Sequence, residues 1–257
     1  MIMETEKIPG HDLKPIKVAG SKLRMYKRND PEMPDDFRRF MVKLLKYAHV
    51  ENCGNPNYRT IVANIADAGL RYAPDGRAMM IEAEIVKQEV GHGQFVADII
   101  RSLGEDPYNP DWVGQYAFEL PLKTWCDISL FHMLIDRVGL YVGIEWMGST
   151  YEPLARVSEQ LEKEEHFHAT AGFRHMKKVV KTADGRREAQ DLLHKWWPAA
   201  LDMFGKSDSK NSSQYVKWGI KAHTNAELRK KYIEDTVPLI QELGLDVPDH
   251  NANRRFL

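Results

Sequence analysis

At 257 residues and 43% hydrophobic content, the chain is long enough to bury a large core. Its 36 basic and 37 acidic residues leave a formal net charge of −1, which gives no electrostatic reason for nucleic acid or a membrane surface as a partner. The two cysteines, Cys53 and Cys126, cannot form a disulfide framework and fit a reducing cytosol, and neither reads as a nucleophile. The opening residues lack the basic region and apolar run of a secretory signal, and no later stretch stays apolar for the length of a membrane span. A soluble, cytoplasmic chain is expected.

The pattern is helical almost throughout. Residues 1–34 carry Pro9, Pro15, Pro31 and Pro34 with mixed charge and read as an extended arm, of the kind that often packs on a partner. Residues 35–257 read as one domain. From Asp35, a helix start, Phe37, Phe40, Leu44, Tyr47 and Ala48 recur at spacings of three and four, predicting an amphipathic helix to about Asn52. The Cys53-Gly54-Asn55-Pro56 cluster ends it. A second helix is predicted over 57–73, and Pro74-Asp75-Gly76 turns the chain into a long third one over 77–103, closed by Gly104. Pro107, Pro110, Gly114 and Pro121 mark a loop with one short helix. Residues 122–147 are apolar on nearly every face, which predicts a helix buried in the middle of a bundle. Further helices are expected over 152–178, 185–204, 212–221 and 224–243. No strand pattern of useful length occurs, so the predicted class is all-α.

Two copies of Glu-x-x-His, Glu89/His92 and Glu165/His168, fall inside these helices. At about 100° per residue, positions three apart share a helix face, so each pair presents a carboxylate and an imidazole to the same point. A single copy is weak, because Glu and His fall three apart by chance in many solvated helices. Two copies facing each other make a site for two metals. In a four-helix di-iron bundle the chain order of donors is carboxylate, pair, carboxylate, pair. Upstream of the first pair, Glu51 is the acid in line with the stripe of Phe37, Phe40, Leu44 and Tyr47, although so near a helix end it could also reach solvent. On the third helix Glu84 projects about 140° from Glu89, and Glu82 is closer in direction but two turns distant.

For the apolar helix the candidates are Asp127, Asp136 and Glu145. Asp136 shares a side with Trp125, Ser129, Met133, Leu140 and Gly143, while Glu145 points about 180° away in line with Asp127. Asp136 is preferred, because it stands 29 positions before Glu165, which allows about 14 residues on each side of a tight turn. Glu145 would leave a shorter hairpin and reads better as ion-paired. His132, one turn before Asp136, fits a hydrogen bond that orients that carboxylate, and Tyr47 is placed in a similar supporting role. Glu162, Glu164 and His166 fall off the stripe of Val157, Leu161, Glu165 and His168 and read as solvated or hydrogen-bonded groups. Trp196, Trp197 and the methionines read as core. Four carboxylates and two imidazoles without a thiolate suit iron or manganese and disfavour structural zinc.

Around these residues stand Ala48-His49-Val50-Glu51, Gln88-Glu89-Val90-Gly91-His92-Gly93, Leu134-Ile135-Asp136, Lys163-Glu164-Glu165-His166-Phe167-His168, Trp196-Trp197-Pro198-Ala199 and Thr224-Asn225-Ala226-Glu227-Leu228-Arg229. Together they resemble the catalytic subunit of the multicomponent phenylacetyl-CoA epoxidase family, over about residues 45–250. The resemblance implies a ferritin-like four-helix bundle with additional C-terminal helices and a di-iron monooxygenase that converts the ring of phenylacetyl-CoA to its 1,2-epoxide. It implies two iron ions, O2 as co-substrate, a helical partner subunit of the same fold and an NAD(P)H-dependent reductase in another chain. By position, its metal ligands fall on Glu51, Glu89, His92, Asp136, Glu165 and His168, and it prefers Asp136 over Glu145. Residues 52–80 depart from the family pattern, which leaves a related acyl-CoA as an alternative substrate. A non-catalytic scaffold subunit of such a complex, or a ferritin- or rubrerythrin-like iron-oxidising protein, are the other readings, although rubredoxin-type cysteine pairs are absent. A homo-oligomer is compatible with all of them.

Overall fold

The structure, a computed structural model, describes residues 23–48, 56–108 and 115–256. Ten α-helices are described: α1 (Asp35–Ala48), α2 (Pro56–Tyr72), α3 (Gly76–Ser102), α4 (Tyr116–Glu119), α5 (Trp125–Phe131), α6 (Arg137–Met147), α7 (Glu152–Val179), α8 (Ala183–Asp202), α9 (Lys210–Lys217) and α10 (Asn225–Glu242). Among the described residues there is no strand, and the one β contact is an isolated bridge between Tyr26 and Tyr151. Side-chain caps fix the helix starts. Asp75 accepts from the amide of Ala78, Thr124 from Asp127 and Thr182 from Gly185, while Thr224 and Glu227 form a reciprocal capping box. Each such cap contributes about 1 kcal/mol. Gly104, at φ +83°, lets the chain leave α3 in the left-handed conformation that closes a helix.

The bundle is ferritin-like. α2 packs on α3 and α5, α3 packs on α7, and α5 and α6 lie along α7. α8 covers α5 from outside, and α10 leans on α6. The segment expected as one helix over 122–147 is divided: residues His132–Asp136 form a π-turn between α5 and α6. A π-turn inserts a residue into the helical register and changes which side chains share a face. The side that lines the cavity carries Ile135, Asp136, Gly139, Val142 and Gly143, while Met133 and Leu140 of the expected stripe are buried in the packing beside it. α7 accommodates this turn through Gly172, where an added Cβ would stand 2.3 Å from the amide nitrogen of Met133. Further along, Gly143 lets α6 approach the backbone of Glu162 on α7.

Two apolar clusters flank the bundle interior. One is built around Ile128, Leu130, Trp196, Trp197 and Tyr232, the other around Phe37, Met41, Leu45, Ile100 and Tyr151. The described part of the N-terminal arm belongs to the second. Tyr26 donates its amide to the carbonyl of Thr150 at 2.7 Å, its ring lies 4.6 Å from that of Phe37, and Met33 is buried. An arm expected to seek a partner thus packs, in residues 23–34, on its own chain, because Tyr26 and Met33 close the apolar cluster under α1.

Candidate metal centre

The two Glu-x-x-His motifs meet in the bundle interior. α3 and α7 run antiparallel there, so Glu89 lies opposite His168 and His92 opposite Glu165, and all four are buried. Nδ1 of His168 is 3.0 Å from Oε1 of Glu89 and 3.6 Å from Oε2 of Glu165. Nδ1 of His92 is 3.6 Å from Oε2 of Glu89 and 3.5 Å from Oε1 of Glu165. Each carboxylate therefore reaches both imidazoles, so either could hold a cation together with a histidine. Asp136, at the end of the π-turn, places Oδ2 3.8 Å from Nδ1 of His168. Glu89, Glu165 and His168 offer donor atoms that all lie within 4.8 Å of one another.

What lies behind the imidazoles fixes which nitrogen faces inward. Nε2 of His92 donates to Oε2 of Glu164 on α7 at 2.8 Å, and Nε2 of His168 donates to Oε1 of Gln88 on α3 at 2.8 Å. The amide nitrogen of Gln88 is engaged by Glu84 at 3.0 Å, so its oxygen is the atom that faces His168. The residue preceding each motif glutamate thus holds the histidine of the other helix, leaving both Nδ1 atoms aimed at the carboxylates. A histidine ligand is commonly oriented by such a bond on its second nitrogen. Gly139 on α6 makes the remaining room. A Cβ there would stand 2.6 Å from Cδ and Oε1 of Glu165.

Three buried carboxylates this close repel one another. Burial, with Glu89 and Glu165 adding to it against the pull of His132, raises the pKa of Asp136 to about 7. Burial works against protonation of His92 and His168, yet Glu165 and Glu89 more than offset it and raise them to about 12 and about 10. In the metal-free protein these protons balance the charge, and a cation would displace them. The donor set fits that role. Nδ1 of His92, Nδ1 of His168 and Oε2 of Glu165 are buried and face one another and Glu89 across 3.0 to 3.6 Å without a well-formed hydrogen bond, an arrangement a cation would satisfy better. Nitrogen and oxygen donors with no thiolate suit iron or manganese; Cys126 lies buried in α5, where burial raises its pKa to about 12.

The other acids of the long helix are engaged elsewhere. Glu145 accepts from the amides of Ala222 and His223 at 2.9 and 2.8 Å and pairs with Nδ1 of His223 at 2.6 Å. Asp127 bonds Nε1 of Trp196 at 2.9 Å, the amide of Lys123 and the Lys195 ammonium. Nδ1 of His132 meets Oδ2 of Asp136 at 2.5 Å. Tyr47, expected in a supporting role, lies near the end of α1 with 56% of its surface exposed. Glu51 lies outside the described residues. Gln88 and Glu164 were legible only as neighbours of the motifs; an acceptor directly before Glu in both copies was the available signal. Glu82, set aside for its distance along the helix, is fully buried and accepts from Nε2 of His132 at 2.9 Å.

One buried histidine stands apart from this network. His175 on α7 is 3% exposed, sits edge-on to Trp125 at 4.7 Å, and neither of its nitrogens has a hydrogen-bond partner. Burial pushes its pKa down to about 4. The unfolded chain takes up this proton near pH ~6.5, before the folded chain does, so stability is lost as pH falls from there towards 4. His175→Phe is expected to remove about 2 kcal/mol of the loss between melts near pH 7 and pH 4.5. Equal acid sensitivity in the two proteins would reject this assignment.

The centre opens onto a cavity of about 130 Å³. Glu89, His92, Asp136 and Glu165 form one wall, and the others are largely apolar, among them Ile65, Phe118, Phe131, Val142, Trp146 and Leu161. It lies where the two core clusters meet. A polar donor group facing an apolar chamber suits chemistry on an apolar substrate. Among the described residues, no helix is long and apolar enough to cross a membrane. The family described as Phenylacetic acid catabolic protein matches residues 60–255. The A component of the 1,2-phenylacetyl-CoA epoxidase of Escherichia coli (strain K12) is 31% identical over 229 residues, which cover 84% of this chain and 71% of that protein. With the match spanning the bundle from α2 to α10, the chain belongs to the phenylacetic acid catabolic protein family.

Proposed function

We propose that the chain is the catalytic subunit of a multicomponent di-iron monooxygenase that epoxidises the aromatic ring of phenylacetyl-CoA or a related acyl-CoA. O2 is the co-substrate, and electrons come from a separate NAD(P)H-dependent reductase. The observation that carries this reading is a buried carboxylate and imidazole group forming one wall of an apolar cavity. Glu89, His92, Asp136, Glu165 and His168, joined by Glu51, would hold two irons. The bound ions would supply the electron transfer to dioxygen that the side chains cannot perform.

This chain's residues supply position and exclusion. Gln88 and Glu164 hold the imidazoles in one orientation, and Gly139 lets Glu165 lie between them. Phe118, Phe131, Trp146 and their apolar neighbours keep water from the reacting carbon and receive the ring. The volume supports a ring. An engineered cavity of about 150 Å³ accepts benzene, so about 130 Å³ holds an aryl group with the thioester and nucleotide left outside. A scaffold subunit of the same fold would have no use for a retained donor set, which favours the catalytic role. The reductase and a ferritin-like partner subunit complete the assembly in this reading.

Anaerobic loading is expected to give about two irons per chain. With reductase and O2, phenylacetyl-CoA or another aryl acyl-CoA should then gain one oxygen atom by mass spectrometry. Iron uptake far above two per chain with no oxygenated thioester would replace this reading with iron storage.

A further inference from the structure

Glu82 makes an unusual use of a buried carboxylate. It is fully buried on α3, two turns before Glu89, and its hydrogen bond to Nε2 of His132 is formed through Oε2. Its other oxygen, Oε1, is buried and has no hydrogen-bond partner. A carboxylate so placed is costly to bury and serves no packing purpose that an apolar side chain would not serve better. Its one satisfied contact is with His132, itself fully buried, whose Nδ1 meets Oδ2 of Asp136. Each ring nitrogen of His132 meets one carboxylate oxygen, Nε2 that of Glu82 and Nδ1 that of Asp136, so the imidazole links α3 to the carboxylate at the end of the π-turn. Gly69 on α2 completes the arrangement. A Cβ there would stand 2.5 Å from Oε2 of Glu82, so only glycine leaves that oxygen where His132 needs it.

We propose that Glu82 is a positioning residue for the metal centre: by gripping His132 from behind, it fixes the orientation in which His132 holds Asp136 towards the cation beside His168. Glu82 touches neither metal nor substrate in this arrangement. It acts through two hydrogen bonds, and its own charge is not what matters. The inference rests on the reading of the site as a two-metal centre.

Cobalt(II), bound anaerobically as a coloured stand-in for iron, separates the two. Wild-type protein that fails to take up two cobalt ions defeats the two-metal reading itself. If it takes up two, Glu82→Leu is expected to bind one of them about 10- to 100-fold more weakly, with an altered visible spectrum for that ion alone. Glu82→Gln keeps an acceptor and a donor for His132 and is expected to stay within about threefold of wild type, which a purely structural role for the charged group would not allow. Gly69→Ala, which retains every polar group but pushes the Glu82 carboxylate aside, should reproduce the Leu variant. It decides the matter should the Leu variant not fold by circular dichroism. Unchanged cobalt affinity and spectrum in the folded Leu variant or in Gly69→Ala, or equal losses in the Gln and Leu variants, overturns the proposal.

Discussion

Glu89→Ala is expected to abolish oxygen-dependent turnover and to cost at least one of two bound metal ions, an effect larger than the ~10- to 100-fold loss typical of removing an outer hydrogen-bond partner. The reason is the double reach of this carboxylate. Its two oxygens lie 3.0 Å from Nδ1 of His168 and 3.6 Å from Nδ1 of His92, so its removal takes a donor from both positions at once. It also removes a counter-charge for both imidazoles, which leaves a buried positive excess where cations must enter. Asp98→Ala is the matched control on the same helix. Asp98 pairs with Arg101 at the surface, 65% exposed, and such pairs contribute at most about 1 kcal/mol. Iron content per chain and single-turnover product formation are the measurements. Two irons and wild-type epoxidation in Glu89→Ala would remove the dinuclear centre from this site.

What the sequence made legible follows the range over which its signals act. Helix starts at Asp75, Thr124, Thr182 and Thr224 are local, each set by a residue and an amide three positions on, and the predicted starts of these four helices lie within about three residues of the observed ones. The motif pairs were legible because repetition of a three-residue spacing is improbable by chance and both copies sat in amphipathic helices. The choice of Asp136 over Glu145 could be argued from helix phase, and Glu145 indeed turns to the loop before α10. Phase reasoning fails where the register itself changes. Nothing within His132–Asp136 announces a π-turn, since the room for it is made by Gly172, far along the chain on α7. Glu82 was out of reach for the same reason. Its partner lies 50 positions away on another helix, and a carboxylate two turns from the motif has no meaning until the helices are packed. Glu51 remains an expectation, outside the described residues.

Gly139→Ala should separate function from stability more cleanly than any ligand substitution. The new Cβ would lie 2.6 Å from Cδ and Oε1 of Glu165 and 2.8 Å from Oε2, closer than real Cβ contacts come, so the carboxylate must leave the position between the two imidazoles. The backbone need not move, because the colliding atoms are the end of a side chain. An alanine in place of glycine inside a helix favours the folded state by up to ~1 kcal/mol, so the melting temperature is expected to hold or rise. Metal binding and turnover should nevertheless fall at least as far as in a variant lacking an outer partner, ~10- to 100-fold or more. Gly91→Ala supplies the comparison. Gly91 stands between Glu89 and His92 on α3, and a Cβ there would meet nothing within 4 Å, so the same substitution beside a proposed ligand should leave iron uptake unchanged. Were both alanine variants to load two irons equally well, Glu165 could not be a bridging ligand, because its carboxylate would have been shown to be free to move without consequence. A loss confined to Gly139→Ala, in a protein at least as stable as the parent, ties the absence of a side chain on α6 to the seating of one carboxylate on α7.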